Sequence, residues 1–185
     1  MNETIKLLLE RRAVRAYEKK PVSREDLELI VKCGQYAPSA MAIQPWHFTV
    51  VTDRAILDKI VAANKEIMKN APEEFVRAMA ADPDFDSFRG APCAILISGQ
   101  DDRPMTIADC ANATDNMAIA AQSLGLNSCY IASYQVCLNA PGGETLKLEL
   151  GIPEDYIPNF ALCLGYGTEH PEPKPRKEGT VNYLG

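Results

Sequence analysis

Histidine is nearly missing from this chain: its 185 residues include only His47 and His170. Neither stands in a ligand-like cluster, so a metal site and a hydrolytic triad both lack their usual donor. The six cysteines, at 33, 93, 110, 129, 137 and 163, form no C-x-x-C pair and no four-cysteine iron–sulfur spacing. They sit in apolar contexts such as Cys93-Ala94-Ile95-Leu96 and Leu162-Cys163-Leu164, which reads as free buried thiols in a reducing compartment. Positive charge is not in surplus: the net charge is -6 and the pI about 5.0, which disfavours nucleic acid as a partner. No apolar run approaches the ~18 residues of a membrane span. Met1-Asn2-Glu3-Thr4 opens without a leader pattern, so a cytoplasmic location is expected. G-x-G-x-x-G after a strand, G-x-x-x-x-G-K-[ST], H-E-x-x-H and G-x-S-x-G are all missing, which removes the common nucleotide folds and hydrolases.

What is present is an ordinary globular composition, 46% hydrophobic and 24% charged, at a length that fits one domain over residues 1–185. Ile5 to Leu9 reads as a short helix. Ser23-Arg24-Glu25-Asp26 resembles a capping box ahead of a helix ending near Gln35. Two prolines bracket the loop Ala37 to Pro45, and Trp46 to Val51 has strand propensity, with Trp46 read as a core anchor. Asp53 caps a helix from about Arg54 to Asn70. Residues 71–90 hold a short helix from Pro72 to about Met79 and then a loop. That stretch, with Phe75, Phe85 and Phe88, is either a lid or a surface excursion with buried phenylalanines. Cys93 to Ser98 is a buried strand. A helix from Pro104 to about Gly125 follows, with alanines suited to close packing. Strands are expected over Leu126–Ser133 and Phe160–Leu164, with a short helix over Gly143–Leu150 between them. The tail from 168 to 185 reads as extended, proline-rich chain. The class is α+β, a sheet covered by helices.

The segment Arg11-Arg12-Ala13-Val14-Arg15-Ala16-Tyr17 places three arginines within five residues. The arginine fork matches phosphate oxygens, and a solvated charge patch is the bland alternative. Extended chain would separate Arg11 from Arg15 by about 13 Å, whereas a helix would stack them on one face.

The arginine cluster, the P-S-A-x-x-x-Q-P-W loop (Pro38 to Trp46) and the P-x-P-x-P-R-K tail (Pro171 to Lys177) occur in this order. The chain thereby resembles the FMN-dependent nitroreductase family, in its short single-domain form. The resemblance implies a mostly antiparallel central sheet flanked by helices, and an intertwined homodimer with FMN at the subunit interface. It implies that Arg11 binds the flavin phosphate, and that Arg12 and Ala13 contact the ribityl–phosphate side. Arg15 would approach the N1/O2 edge as the catalytic residue. The loop Pro38, Ser39, Ala40, Met41 and Gln44 would cover the flavin from the other subunit. Ile131, Ala132 and Ser133 would pass near the ring, and Arg176 with Lys174 or Lys177 would return to the phosphate. The family commonly has serine where Ala13 stands, so only a backbone contact remains there. The implied activity is ping-pong reduction of quinones, nitroaromatics or related small acceptors by NADH or NADPH. The alternatives are an FMN-binding or storage protein, or different flavin chemistry on the same fold: dehalogenation, flavin fragmentation or azoline oxidation. Cys129 reads as a packed thiol, and Met41 as either interface packing or flavin cover.

Overall fold

A computed structural model describes residues Met1–Gly185. Helix α1 spans Glu3–Glu10, where the Asn2 side chain accepts from the Ile5 N–H at 3.0 Å. Helix α2 spans Arg24–Gln35, capped by Ser23 Oγ accepting from Asp26 N–H. Strand β1 is Trp46–Val51, and α3 runs Arg54–Met68 behind its Asp53 cap. Helix α4 is Glu74–Ala81, β2 is Cys93–Gly99, and α5 is Pro104–Ser123 with proline in its first turn. Strand β3 (Asn127–Ile131), helix α6 (Glu144–Glu149) and strand β4 (Ile157–Gly165) complete the order. Residues 168–185 hold no helix or strand.

The four strands lie in the order β1-β2-β4-β3, every pair antiparallel. Side chains alternate across the strands, so one apolar sequence supplies two cores. Cys93, Ile95, Ile97, Leu162 and Leu164 face α2 and α5. Ala94, Leu96, Cys129, Ile131, Ala161 and Cys163 face α3, Phe88 and Tyr134. β2 is buried along its whole length, which explains its unbroken apolar run. Helices α2 and α5 meet at Gly34, where an added Cβ would come within 2.8 Å of Met117 Cγ. The alanines of α5 serve the same close approach.

Three boundaries differ from the sequence reading. The strand expected to reach Ser133 stops at Ile131, and Ser133–Gln135 forms a 3-10 turn. Asn64 of α3 causes the stop. Its amide donates to the carbonyls of Ser133 (3.3 Å) and Tyr134 (3.0 Å), and its oxygen accepts from Cys137 N–H (2.8 Å). Strand β4 begins three residues early, at Ile157, with a bulge at Asn159 between the two pairings with Ile97 and Ser98. The 71–90 stretch is docked on the body: Phe88 is fully buried and Phe85 packs on Met68 and Ala80, while Phe75 is exposed.

Five of the six thiols are buried and none is paired. Burial pushes Cys93 up to about 12, and Cys110 and Cys137 up to about 11. The folded chain therefore keeps protons that the unfolded chain releases near pH 9, and stability is fully present below that value. It falls as pH rises through the window to about 11–12. We expect the urea midpoint to drop between pH 8.5 and 10.5 and the drop to be shallower in Cys93→Ala/Cys137→Ala. Equal slopes in the two proteins would contradict this origin.

Candidate functional site

The arginine segment is not helical. Arg11 leaves α1 with φ -55° and ψ 134°, and the chain then runs extended between two other segments. On one side Ala13 bridges Ser128 of β3 in parallel fashion, with Val14 N–H donating to Ser128 O at 3.0 Å. On the other, Tyr17 pairs with Gly167 just beyond β4; Glu18 N–H donates to Tyr166 O (2.8 Å), and Thr168 N–H to Ala16 O (3.0 Å). Glu169 adds a carboxylate oxygen that accepts the Arg15 N–H at 2.5 Å. The Tyr17 hydroxyl donates to Val14 O at 2.6 Å, and burial, the largest of several causes, pushes its phenol far up from its usual value.

This frame decides where the arginines go. Arg15 is exposed and Arg11 half-buried. The buried Cys129 thiol, raised mainly by burial, feels the opposing positive fields of Arg15, Arg89 and Arg11. Arg12 Nη1 donates to Leu9 O at 2.7 Å and Arg11 O at 2.8 Å, at the C-terminus of α1. A cation there is stabilised by the helix dipole. Ala13 presents backbone only. Ile131 is buried, Ala132 exposed and Ser133 half-buried as β3 turns away.

The Pro38–Gln44 loop is a separate unit. Met41, Ala42 and Gln44 have φ of 52°, 57° and 53°, three left-handed non-glycine residues within four positions. Such strain persists where surrounding bonds over-determine it. Ser39 Oγ accepts the Gln44 N–H at 3.1 Å. Buried Asp109 of α5 receives the Ala40 N–H with both oxygens at 3.2 Å. Met41 is 82% exposed, and no hydrogen bond joins the loop to the arginine segment of its own chain. Beside it, an open groove of about 840 Å³ is lined by Tyr36, Gln44, Trp46, His47 and Phe48 among others. Trp46 stacks on Phe48 at 6.1 Å and, half-buried, packs against the core on the α2 and α5 side, as read from the sequence. Lys174 and Arg176 are exposed in the tail. The structure holds them on the same segment that Glu169 ties to Arg15, without joining them to the arginines by a hydrogen bond.

The profile described as the Nitroreductase family matches residues 8–166. The chain belongs to the nitroreductase family. It is 34% identical over 171 residues, 90% of this chain and 86% of the relative, to an Archaeoglobus fulgidus protein with a provisional NADH dehydrogenase/NAD(P)H nitroreductase name. Its fold superposes with TM-score 0.94 on a nitroreductase with bound FMN from Bacteroides fragilis, at 29% identity and full coverage of both chains. A nitroreductase with bound FMN from Desulfitobacterium hafniense gives TM-score 0.92 at 25% identity, again over both whole chains.

Within this nitroreductase chain, sequence reasoning missed two polar residues of the site region. Asp109 carried one signal, a carboxylate inside an alanine-rich helix. Glu169 carried none, because its significance arises only once the tail and the arginine segment lie side by side. Asn64 likewise shapes the site from a distance, by setting where β3 ends. We expect Asn64→Ala to cost about 2–3 kcal/mol in chemical denaturation, because buried backbone groups lose their partners, and to speed amide exchange at Cys137. A loss under ~0.5 kcal/mol would show that the 3-10 turn holds itself.

Proposed function

We propose that this protein is an FMN-dependent oxidoreductase that takes electrons from NADH or NADPH and passes them to a small acceptor such as a quinone or nitroaromatic. The observation that carries this reading is the extended Arg11–Tyr17 backbone. Over four residues such a backbone can separate Arg11 from Arg15 by up to about 13 Å, close to the distance between the phosphate and ring of one flavin. The residues fit the group: three arginines within five positions suit a phosphate of nearly two negative charges. Bound there, FMN supplies the hydride chemistry, and the chain supplies binding, orientation and electrostatics.

In this reading Arg11, helped by Arg176 with Lys174 or Lys177 from the tail, holds the phosphate. Ala13 offers its backbone to the ribityl side, with Arg12 kept on the helix end. Arg15 lies at the N1/O2 edge and stabilises the negative charge that reduction places there, raising the potential. Ile131, Ala132 and Ser133 offer backbone groups beside the ring. Pro38, Ser39, Ala40, Met41 and Gln44 come from the partner of a homodimer and exclude water from the other side. The exposed, strained Met41 and the absence of bonds from this loop to its own arginine segment support that assignment. Residues 1–185 act as one domain, working in the cytoplasm without nucleic acid or membrane.

Purified protein should carry an oxidised-flavin spectrum that bleaches on anaerobic addition of NADH or NADPH and recovers with a quinone. A stable flavin spectrum that neither nicotinamide bleaches would instead support a storage protein. Arg15→Gln should lower the two-electron potential and slow reduction while FMN affinity falls only modestly. An unchanged potential with a large loss of affinity would move Arg15 to the phosphate. Arg176→Ala should weaken FMN by about 1.5–3 kcal/mol, the worth of a charge-assisted contact, with an unaltered unfolding midpoint in the flavin-free form; wild-type affinity would remove the tail from the site.

A further inference from the structure

Asp109 lies on the second turn of α5 and is 6% exposed. Both of its carboxylate oxygens stand 3.2 Å from a single donor, the Ala40 N–H, 69 positions earlier in the chain. No arginine, lysine or histidine pairs with it. An ionised carboxylate accepts about four hydrogen bonds and is costly to bury with fewer. Burial on one shared N–H is therefore a poor way to stabilise a fold, and an apolar side chain would serve as well.

What this carboxylate holds is strained. Met41, Ala42 and Gln44 are left-handed, at φ 52°, 57° and 53°, which L-residues adopt at a cost. The other hydrogen bonds of the Pro38–Gln44 backbone are internal to the loop. Ala42 N–H donates to Ser39 O and Ile43 N–H to Ala40 O, both at 3.1 Å, and Gln44 N–H donates to Ser39 Oγ. Asp109 is thus the loop's one hydrogen-bonded tie to the body of its own subunit, and it grips the residue just ahead of the left-handed stretch. Met41, Ala42, Ile43 and Gln44 are all exposed, between buried Ala37 and buried Pro45. Without the tie, only the two chain ends would position them.

We propose that Asp109 is a positioning residue for the flavin site. It holds the loop in the left-handed form that projects Met41 out of its own subunit and over the flavin of the partner. This rests on the reading above, in which the loop covers the flavin across the dimer. It adds a residue that touches neither flavin nor acceptor: a carboxylate on α5 sets how closely the loop seats, and thereby how well the ring is shielded from water. The charge matters, because an ionised acceptor holds an N–H more strongly than a neutral one. The bond has to outweigh the preference of three residues for right-handed or extended backbone.

The test compares Asp109→Ala and Asp109→Asn with wild type in three measurements. These are amide exchange of the flavin-free protein, FMN affinity, and acrylamide quenching of the bound flavin's fluorescence. In Asp109→Ala, exchange at Ala40, Ile43 and Gln44 should quicken tenfold or more while β2 exchanges as in wild type. FMN affinity should fall about tenfold, and acrylamide should quench the bound flavin more efficiently. Asp109→Asn keeps an oxygen acceptor and should fall between the two proteins in all three. Wild-type exchange at the loop of Asp109→Ala would overturn the proposal. So would a loosened loop that leaves affinity and quenching at their wild-type values. Faster exchange throughout β2 that asparagine does not repair would make Asp109 a residue of the fold alone, and would overturn it too. A wild-type protein that binds no FMN would overturn the reading on which the proposal rests, even where loop exchange responds as expected.

Discussion

The position of the Arg11–Tyr17 segment rests on a short zipper of hydrogen bonds. Val14 N–H to Ser128 O, Thr168 N–H to Ala16 O and Glu18 N–H to Tyr166 O hold it between β3 and the chain leaving β4, and Glu169 closes the Arg15 N–H. These bonds are individually modest, each worth about 1 kcal/mol net. Together they fix the geometry: they keep the segment extended, a conformation in which four residues span up to about 13 Å, against about 6 Å along a helix. They also attach the start of the tail, through Thr168 and Glu169, beside the arginine segment. One set of backbone contacts thus links the N-terminus, the third strand and the C-terminus.

The chain stores backbone strain in two places, each held by a carboxylate. In the Pro38–Gln44 loop, Asp109 and Ser39 hold three left-handed residues. In the turn before β2, Asp86 and Arg54 hold Arg89. Neither arrangement lowers the free energy of the isolated chain: one leaves Met41 exposed, and the other leaves the buried Arg89 Nε without a hydrogen-bond partner. The acidic net charge of the chain makes this local concentration of arginine more distinct, because the rest of the surface does not attract anions without selection.

Much of this was legible in the residues. The unbroken apolar run of β2 announced a central strand, Ser23 and Asp53 announced their helices, and the order of arginine cluster, proline-bracketed loop and proline-rich tail pointed to the nitroreductase family that the profile and superpositions then established. The sequence could not show where β3 ends, because Asn64, more than sixty residues away, competes for the carbonyls that would have continued the ladder. Nor could it show that the Arg12 guanidinium rests on the end of the helix it follows. Arg89 was invisible because its lack of a partner is a property of three dimensions: sequence shows Asp86 nearby, and only the fold shows that Arg54 has taken it.

The central claim is that Arg11 and Arg15 grip opposite ends of one flavin, and the ratio of FMN to riboflavin affinity tests it most directly. Arg11→Gln should collapse the preference for FMN, while Arg15→Gln should leave that preference intact even where both affinities decline. Equal collapse of the ratio in the two variants would place both arginines on the phosphate and contradict the account.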